Sequence, residues 1–174
     1  TQAVIIQKLG VTANTTLVDF HHGPCMGRAN KASLDKAIKL GFACVDSGAT
    51  HDMSNGTRED FMDYKPLPKG SHVLVADNHP IECLGIGTQF MRIKGRITGR
   101  QQVLHVPALK APLISVRQHQ RRQGCSFITD NEGCYLTFPT FTIEVNNSTD
   151  CLVTYEIVNP KGFDISQCDY MQAR

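Results

Sequence analysis

The sequence predicts an all-β fold, a closed barrel or a sandwich, with one short helix. From residue 41 onward, β-branched and aromatic residues alternate with polar residues in short runs, as they do in half-buried strands. Gly, Pro, Asn and Asp separate these runs and supply the turns between strands. The segment from Val116 to Gln123, which Gly124 would cap, is the one clear helical pattern. Many short strands joined by tight turns indicate a sandwich or a small barrel.

The predicted strands form three hairpins. In each, two apolar or alternating runs flank a turn sequence, which is the usual pattern of antiparallel neighbours. The paired runs are residues 71–76 with 81–84, 126–129 with 134–138, and 141–145 with 152–158. Nearer the N-terminus, residues 3–6 are expected to form an edge strand and residues 33–40 a short amphipathic helix.

The chain is long enough for one globular domain with a hydrophobic core. Its 174 residues are 41% hydrophobic and 20% charged, which is typical of a folded protein rather than a disordered one. No apolar run approaches the about 20 residues that a membrane-spanning helix needs, so we expect no membrane partner. The first residues lack an initiator methionine and a signal-peptide pattern, and we expect a piece of a longer polypeptide. The predicted division is an N-terminal arm, 1–40, a β domain, 41–160, and a C-terminal tail, 161–174.

The net charge of +2 is unevenly distributed. Between Cys83 and Thr129 there is no Asp or Glu, whereas eight basic residues fall inside: Arg92, Lys94, Arg96, Arg100, Lys110, Arg117, Arg121 and Arg122. Two interpretations are open, a solvated face with some ion pairs to acids elsewhere in the chain, or a nucleic-acid footprint. No aromatic residues are interleaved with these charges, so nucleic-acid binding is the less favoured of the two.

Seven cysteines are scattered without a CxxC pair, which gives no support for a zinc ribbon or a redox motif. The segment His21-His22-Gly23-Pro24-Cys25 has potential ligands but no second half at a metal-ligand spacing. We therefore predict no metal site and no cofactor. Buried, reduced thiols of an intracellular protein fit the set as a whole.

The most informative segment runs from Phe42 to Thr50. An apolar run leads directly into Asp46 and Ser47, followed by Gly48 and Ala49. A carboxylate at the end of a buried strand is costly unless it is paired, neutralised or functional. The glycine that follows, Gly48, lets the backbone bend sharply and lets another chain approach closely. The alternative is an ordinary turn, because Asp, Ser and Gly all favour turns.

Further elements follow this segment in a definite order. They are Val75-Ala76-Asp77-Asn78-His79-Pro80-Ile81, Gly85-Ile86-Gly87-Thr88, Val103 to Leu109, and Leu113-Ile114-Ser115-Val116. Together with the Asp-Ser-Gly-Ala segment, they resemble the protease of copia-type LTR retrotransposons, within the retroviral-type aspartic proteases. The resemblance covers residues 42 to 130 and implies a retropepsin-like fold with a flap hairpin.

The resemblance also implies roles for individual residues. Asp46 would be the catalytic aspartate, Ser47 would bind the backbone of a partner chain, and Gly48 and Ala49 would line the substrate cleft. The 71–90 hairpin would be the flap that closes over the substrate, with its tip at Ala76, Asp77, Asn78 and His79. The hydrophobic floor behind the active-site loop would comprise Leu113, Ile114 and Ser115. Retroviral enzymes usually have glycine at the last floor position, and copia-type sequences commonly have serine there.

Aspartic protease chemistry needs two carboxylates that share one proton, because like charges about 3 Å apart cannot both ionise. The Asp-Ser-Gly motif occurs once, so the second aspartate must come from a second copy in a C2 homodimer. The resemblance implies that the substrate is an extended polypeptide, the Gag–Pol polyprotein, cleaved in cytoplasmic virus-like particles.

Other functions are open at this stage. The same fold could be a catalytically silent dimer that serves as a polyprotein assembly element, or the basic stretch could belong to a nucleic-acid-binding Gag-like segment. A cysteine protease using Cys25 or Cys44 is the least favoured, because no His-containing motif marks a base. His51 and Asp52 are expected to be polar surface residues.

Overall fold

The computed structural model describes residues 24–28, 42–75, 78–145 and 152–171. Strands dominate this part of the chain, and its single α-helix, α1, spans Val116–Gln120. The strands in chain order are β1 Cys25–Arg28, β2 Ala43–Asp46, β3 Met53–Ser54, β4 Met62–Pro66, β5 His72–Leu74, β6 Pro80–Glu82, β7 Gly85–Ile93, β8 Arg96–His105, β9 Leu113–Ser115, β10 Ser126–Thr129, β11 Cys134–Thr137, β12 Thr142–Val145, β13 Leu152–Val153, β14 Glu156–Val158 and β15 Tyr170–Met171. The predicted all-β class with one short helix is confirmed.

The largest sheet has the strand order β13-β2-β9-β3-β8-β7-β14. Strand β4 pairs with β7, and β15 pairs with β8, beside this path. The antiparallel β7–β8 hairpin is its longest element. Among the described residues the pairing path is open rather than closed into a ring, so a sandwich, not a closed barrel, is the form that the strands adopt.

Two small sheets complete the fold. One has the order β1-β5-β6 and contains the antiparallel β5–β6 hairpin, in which His72 pairs with Glu82 and Leu74 with Pro80. The other has the order β10-β11-β12 and contains the β10–β11 hairpin. The first two predicted hairpins are therefore confirmed, with slightly shorter strands than the sequence pattern suggested.

The third predicted hairpin, 141–145 with 152–158, is wrong. Strand β12 pairs with β11, and the run 152–158 is split into β13, which pairs with β2, and β14, which pairs with β7. The physical reason is burial: Leu152 and Val153 are each only 2% exposed, because they extend the central sheet beside β2 instead of returning along β12.

The helix is also shorter than predicted. It ends at Gln120 rather than Gln123, since the chain tightens into a three-residue turn in which the Arg122 N–H donates to the His119 carbonyl. This tightening brings the Arg122 side chain into the interior. Gly124 follows with φ +73°, a conformation that suits glycine at the end of a helix.

Strand β2 lies between two hydrophobic clusters. Cys44 belongs to one cluster, with Met53, Leu104 and Leu113, and Ala43 and Val45 belong to the other. Because successive side chains of a strand point to opposite faces, Asp46 lies on the face of Cys44. The candidate catalytic residue therefore ends a strand that is fully buried on both faces.

The edge strand predicted at 3–6, the helix predicted at 33–40, and the flap residues Ala76 and Asp77 lie outside the described residues. Within the residues that the structure describes, no helix is long and apolar enough to cross a membrane.

Candidate active site

Asp46 ends β2, and the chain then turns outward through Ser47 and Gly48. Asp46 is only 3% exposed, Ser47 and Gly48 are exposed, and Ala49 is fully buried again. The Gly48 N–H donates a hydrogen bond of 2.7 Å to Asp46 Oδ1, which fixes the carboxylate against its own loop. The arrangement presents a short backbone loop at the surface with a carboxylate directly beneath it.

The three predicted floor residues form β9, parallel to β2 and in direct contact with it. The register pairs Cys44 with Leu113, Val45 with Ile114, and Asp46 with Ser115. All three floor residues are buried. The structure thus brings the Asp46 loop and the floor together, although they are more than 60 residues apart in the sequence.

Ser115 does more than fill space behind the loop. Its hydroxyl donates to the Ala49 carbonyl at 2.7 Å and accepts from the Gln118 N–H at 3.0 Å. Ser115 is the N-cap of α1, so one side chain links the start of the helix to the Asp46 loop. A glycine at this position would leave both partners without that oxygen.

Asp52, expected at the surface, is fully buried, which corrects the sequence-based expectation. Its carboxylate accepts from the Ser115 N–H at 2.8 Å and from Arg122, and Arg100 Nη1 lies 3.3 Å away. Its own backbone N–H donates to the Gln118 side chain. The expectation failed because all of these partners are distant in sequence.

The Asp52 cluster contains one anion and two cations, all of them buried. Burial by itself would raise the pKa of Asp52, but Arg100, Arg122 and the Ser115 N–H together hold the pKa below its ordinary value. Among the described residues, the three guanidinium nitrogens of Arg100 have no hydrogen-bond partner. Asp52 is therefore held as a charged structural group and is not available to share a proton with Asp46.

His51 lies between the loop and this cluster and is half-buried rather than fully exposed. Its Nδ1 is 3.0 Å from the Thr50 hydroxyl. Burial lowers the pKa of His51, the nearby Asp52 opposes that shift, and Arg121 adds to it. The imidazole is therefore neutral over more of the acid range than an exposed histidine would be.

Of the predicted 71–90 flap, only β5 and β6 pair as a hairpin, whereas the residues from Gly85 onward belong to β7, which pairs with β8 in the largest sheet. Only part of the hairpin tip is described. Asn78 and His79 are exposed, Asn78 has φ +57°, and the Val75 N–H donates to the His79 carbonyl. Gly85 follows this hairpin as the first residue of β7. A Cβ atom at this position would lie 2.2 Å from the Tyr64 ring. Glycine is therefore required there for the ring to pack across the chain.

The basic stretch from Arg92 to Arg122 does not form one continuous cationic face. Arg92 pairs with Glu156, Arg96 with Asp169 at 3.1 Å, and Arg100 and Arg122 with Asp52. The other four basic residues, Lys94, Lys110, Arg117 and Arg121, are exposed. Half of the charges are thus paired with acids elsewhere in the chain, as the first interpretation expected, and nucleic-acid binding stays an untested alternative.

No group of three or more His, Cys, Asp or Glu side chains in the described part of the chain is placed to hold a metal ion. The nearest sequence pattern, His21 to Cys25, lies largely outside the described residues.

Comparison with known proteins gives a family match. Residues 43–125 match the family model of the Pol polyprotein β-barrel domain. The matched range begins at β2, contains Asp46, the β5–β6 hairpin, β9 and α1, and ends before β10. Searches of curated proteins and of solved structures gave no match. This part of the chain is therefore similar to a domain of Pol polyproteins, which indicates a retroelement Pol region.

Proposed function

We propose that the chain is the homodimeric aspartic endopeptidase of a copia-type retroelement. One observation carries the proposal: Asp46 is a nearly buried carboxylate beneath an exposed Ser47–Gly48 loop, on a strand built into the core. The matched Pol region contains this loop. An ordinary surface turn would not need a floor strand and a hydroxyl anchor behind it.

The second carboxylate of the site comes from a second copy of the chain. The other buried carboxylate behind the loop, Asp52, is bound by Arg100 and Arg122 and by the Ser115 N–H. A C2 axis passing near the exposed loop would place two Asp46 carboxylates side by side, with Ser47 of each chain against the partner's backbone. One chain then holds half a site.

The dyad would activate water without a covalent intermediate. Two adjacent carboxylates share one proton: the ionised member takes a proton from water, and the protonated member polarises the scissile carbonyl. The pair titrates as a unit. No metal, cofactor or nucleophilic side chain is needed for this reaction.

The substrate would be an extended segment of the Gag–Pol polyprotein, lying between the flap hairpin and the Asp46 loop. Extended peptides bind such clefts by backbone pairing, so side-chain pockets set the cleavage-site preference. We expect cleavage in cytoplasmic virus-like particles, where a high local concentration favours the dimer.

The test is autoprocessing of a precursor extended at both ends, as wild type and as Asp46→Asn, followed by mass spectrometry between pH 4 and 8. We expect fragments from the wild type alone, with a rate that rises with concentration. Equal fragments from both proteins would contradict the proposal. A stable dimer that cleaves nothing would instead support the assembly-element alternative.

A further inference from the structure

The buried cluster around Asp52 carries more positive than negative charge. Asp52, Arg100 and Arg122 are each at most 3% exposed. Arg122 donates to one carboxylate oxygen of Asp52, and Arg100 Nη1 lies 3.3 Å from the other. Among the described residues, Asp52 is the one acid whose charge acts on Arg100, and Arg122 adds a second positive charge beside it. One carboxylate therefore faces two guanidinium groups, which both stay protonated at neutral pH.

The Arg100 guanidinium is the group that this arrangement leaves without hydrogen bonds. In the described part of the chain, its buried Nε, Nη1 and Nη2 atoms have no hydrogen-bond partner, although a guanidinium has five N–H donors. The two carbonyls that follow it in the chain, those of Gln101 and Gln102, lie within 3.5 Å of Gln118 Nε2 instead. A buried charge without partners is strongly unfavourable, so the folded protein needs a further acceptor for Arg100.

Gln89 lies opposite Arg100 in the sheet. The two residues are register partners in the β7–β8 hairpin, so their side chains share one face of it. Gln89 is fully buried, and its Nε2 donates to Ser54 Oγ at 2.8 Å. Its Oε1 has no hydrogen-bond partner among the described residues. Two neighbouring buried side chains on one face thus both have polar atoms to satisfy.

The orientation of the Gln89 amide decides what kind of ligand would satisfy them. A half-turn of the amide exchanges its oxygen and its nitrogen. The Ser54 hydroxyl then donates to Oε1, while Ser54 Oγ keeps the Gly56 N–H that it accepts at 3.2 Å. The remaining groups of Gln89 and Arg100 are then all N–H donors. Donors that carry an excess positive charge favour an anion, because hydrogen bonds to an ionised acceptor are the stronger ones.

We infer that Arg100 and Gln89 form a buried binding site for one small monovalent anion of the size of chloride. The anion accepts from the guanidinium and from the amide, and it balances the second positive charge, so that Asp52 remains paired with Arg122. It thereby joins the β7–β8 hairpin to the cluster behind the Asp46 loop. A water molecule would satisfy the hydrogen bonds but not the charge, and it is the competing occupant. The inference goes beyond the proposed function and does not depend on it.

The first test is the chloride dependence of unfolding in the full chain. Urea unfolding at pH 7 is compared in sodium chloride and in sodium gluconate of equal ionic strength, because gluconate is too large for a buried site of this kind. A ligand that binds only the folded state raises the ratio of folded to unfolded protein. We expect this ratio to be at least about fivefold higher in about 0.2 M chloride than in gluconate. Equal ratios would overturn the anion site.

Two variants separate a specific site from a general effect of salt. Arg100→Met removes the excess cation, and Gln89→Glu places a permanent carboxylate opposite Arg100. Both variants should lose the dependence on chloride, whereas Arg117→Met and Gln120→Glu, at exposed positions, should keep it. If Arg100→Met does not fold, Gln89→Glu gives the decision, because it conserves the size and shape of the side chain. A chloride effect that persists in Gln89→Glu would overturn the site.

Bromide gives a direct readout of the position, because its anomalous scattering locates it in a crystal. Wild-type crystals soaked in bromide should show an anomalous peak within hydrogen-bonding distance of the Arg100 guanidinium. The same soak of Gln89→Glu crystals should show none at this place. A wild-type structure with a water molecule at this position and no bromide would identify water as the acceptor and overturn the inference.

Discussion

The Asp46 loop and the predicted flap hairpin are built differently. The Asp46 loop stands on β2 and β9, which are buried at every position, and Ser115 holds it from behind. In the predicted flap hairpin, β5 is likewise buried at every position, whereas β6 is only partly buried and the described turn residues Asn78 and His79 are exposed. The comparison teaches that the candidate catalytic carboxylate stands on strands that are buried throughout, whereas one strand of the predicted flap hairpin is partly exposed to solvent.

The rear of the loop is supported by side chains that converge from three elements. Asp52 follows the loop, Arg100 comes from β8, and Arg122 follows α1. Gln118 adds a further link, since its side-chain amide donates to the Gln101 carbonyl at 3.2 Å and its oxygen accepts from the Asp52 N–H. Loss of one of these contacts should weaken the domain without moving the flap.

The largest expected effect is the loss of peptidase activity when Asp46 is replaced. Asp46→Asn keeps the shape of the side chain but removes the dyad's charge, so peptidase activity should fall by at least about a thousandfold. The free energy of unfolding should change by less than about 1 kcal/mol, because the asparagine keeps a side-chain oxygen that can accept from the Gly48 N–H. Activity assays and urea unfolding measure the two quantities, with the exposed Asp63→Asn as the control. Residual activity above that limit would remove Asp46 from the chemistry.

The next largest expected effect is a loss of stability when the buried Asp52 cluster is disrupted. Asp52→Asn leaves two buried guanidinium groups without their anion, and the loss of one partner of a buried ion pair costs about 3–5 kcal/mol of stability. Urea unfolding at pH 7 measures the loss. A double-mutant cycle with Arg122→Met should give a coupling energy above about 1 kcal/mol. A cost below about 1 kcal/mol for Asp52→Asn would show that the cluster does not support the loop.

The contribution of Asp52 should depend on pH in a defined direction. Its folded pKa is lowered, so its stabilisation is complete above the unfolded pKa, near 4, and is lost as pH falls through the lower folded value. The stability difference between wild type and Asp52→Asn should therefore be constant from pH 5 to 7 and shrink below about pH 4. A difference that shrinks already between pH 7 and 5 would contradict the ion-pair assignment.

Ser115→Ala should have a smaller effect. The change leaves the Ala49 carbonyl and the Gln118 N–H without the hydroxyl, and a lost buried hydrogen bond costs about 1–3 kcal/mol. If the hydroxyl also positions the loop, kcat should fall while KM is retained. Ser166→Ala, at an exposed position, is the control for both measurements. Full stability and full activity in Ser115→Ala would contradict the proposed anchor.

The smallest effect should come from His119, whose ring packs against Phe138. Its Nε2 lies 3.1 Å from the carbonyls of Ser126 and Thr137, and burial, with help from Arg122, lowers its pKa. The unfolded chain takes up a proton below about pH 6.5 and the folded chain does not, so stability should fall by up to about 1.4 kcal/mol per pH unit as pH decreases. His119→Gln should have a shallower slope than His79→Gln, and equal slopes would contradict this interpretation.

Local motifs made part of the site predictable. Asp46, Ser47 and Gly48 are adjacent, and an apolar run before them is enough to indicate a carboxylate at the end of a buried strand. The first two hairpins were also predictable, because each has its turn sequence between its strands. The all-β class follows from many such short runs.

The buried support could not be predicted, because its contacts are non-local. Asp52 meets Ser115 across 63 residues and Arg122 across 70. The sequence contained one signal of this support. Basic residues in a long stretch without acids must either pair with acidic residues elsewhere in the chain or remain exposed to solvent. The sequence carried no signal for the division of 152–158 into two strands or for the pairing of β1 with β5. A strand has the same alternation of apolar and polar residues whichever strand it pairs with, so the alternation does not identify the partner.

The most direct test of the central claim is subunit mixing. Wild-type protein at fixed concentration is mixed with Asp46→Asn and allowed to exchange, and the initial rate of peptide cleavage is measured. If one site needs Asp46 from both chains, a threefold excess of Asp46→Asn should reduce the activity to about one quarter, because most wild-type chains then lie in inactive mixed dimers. An activity that does not change with added Asp46→Asn, at a concentration where the two proteins exchange, would show that one chain forms a complete site.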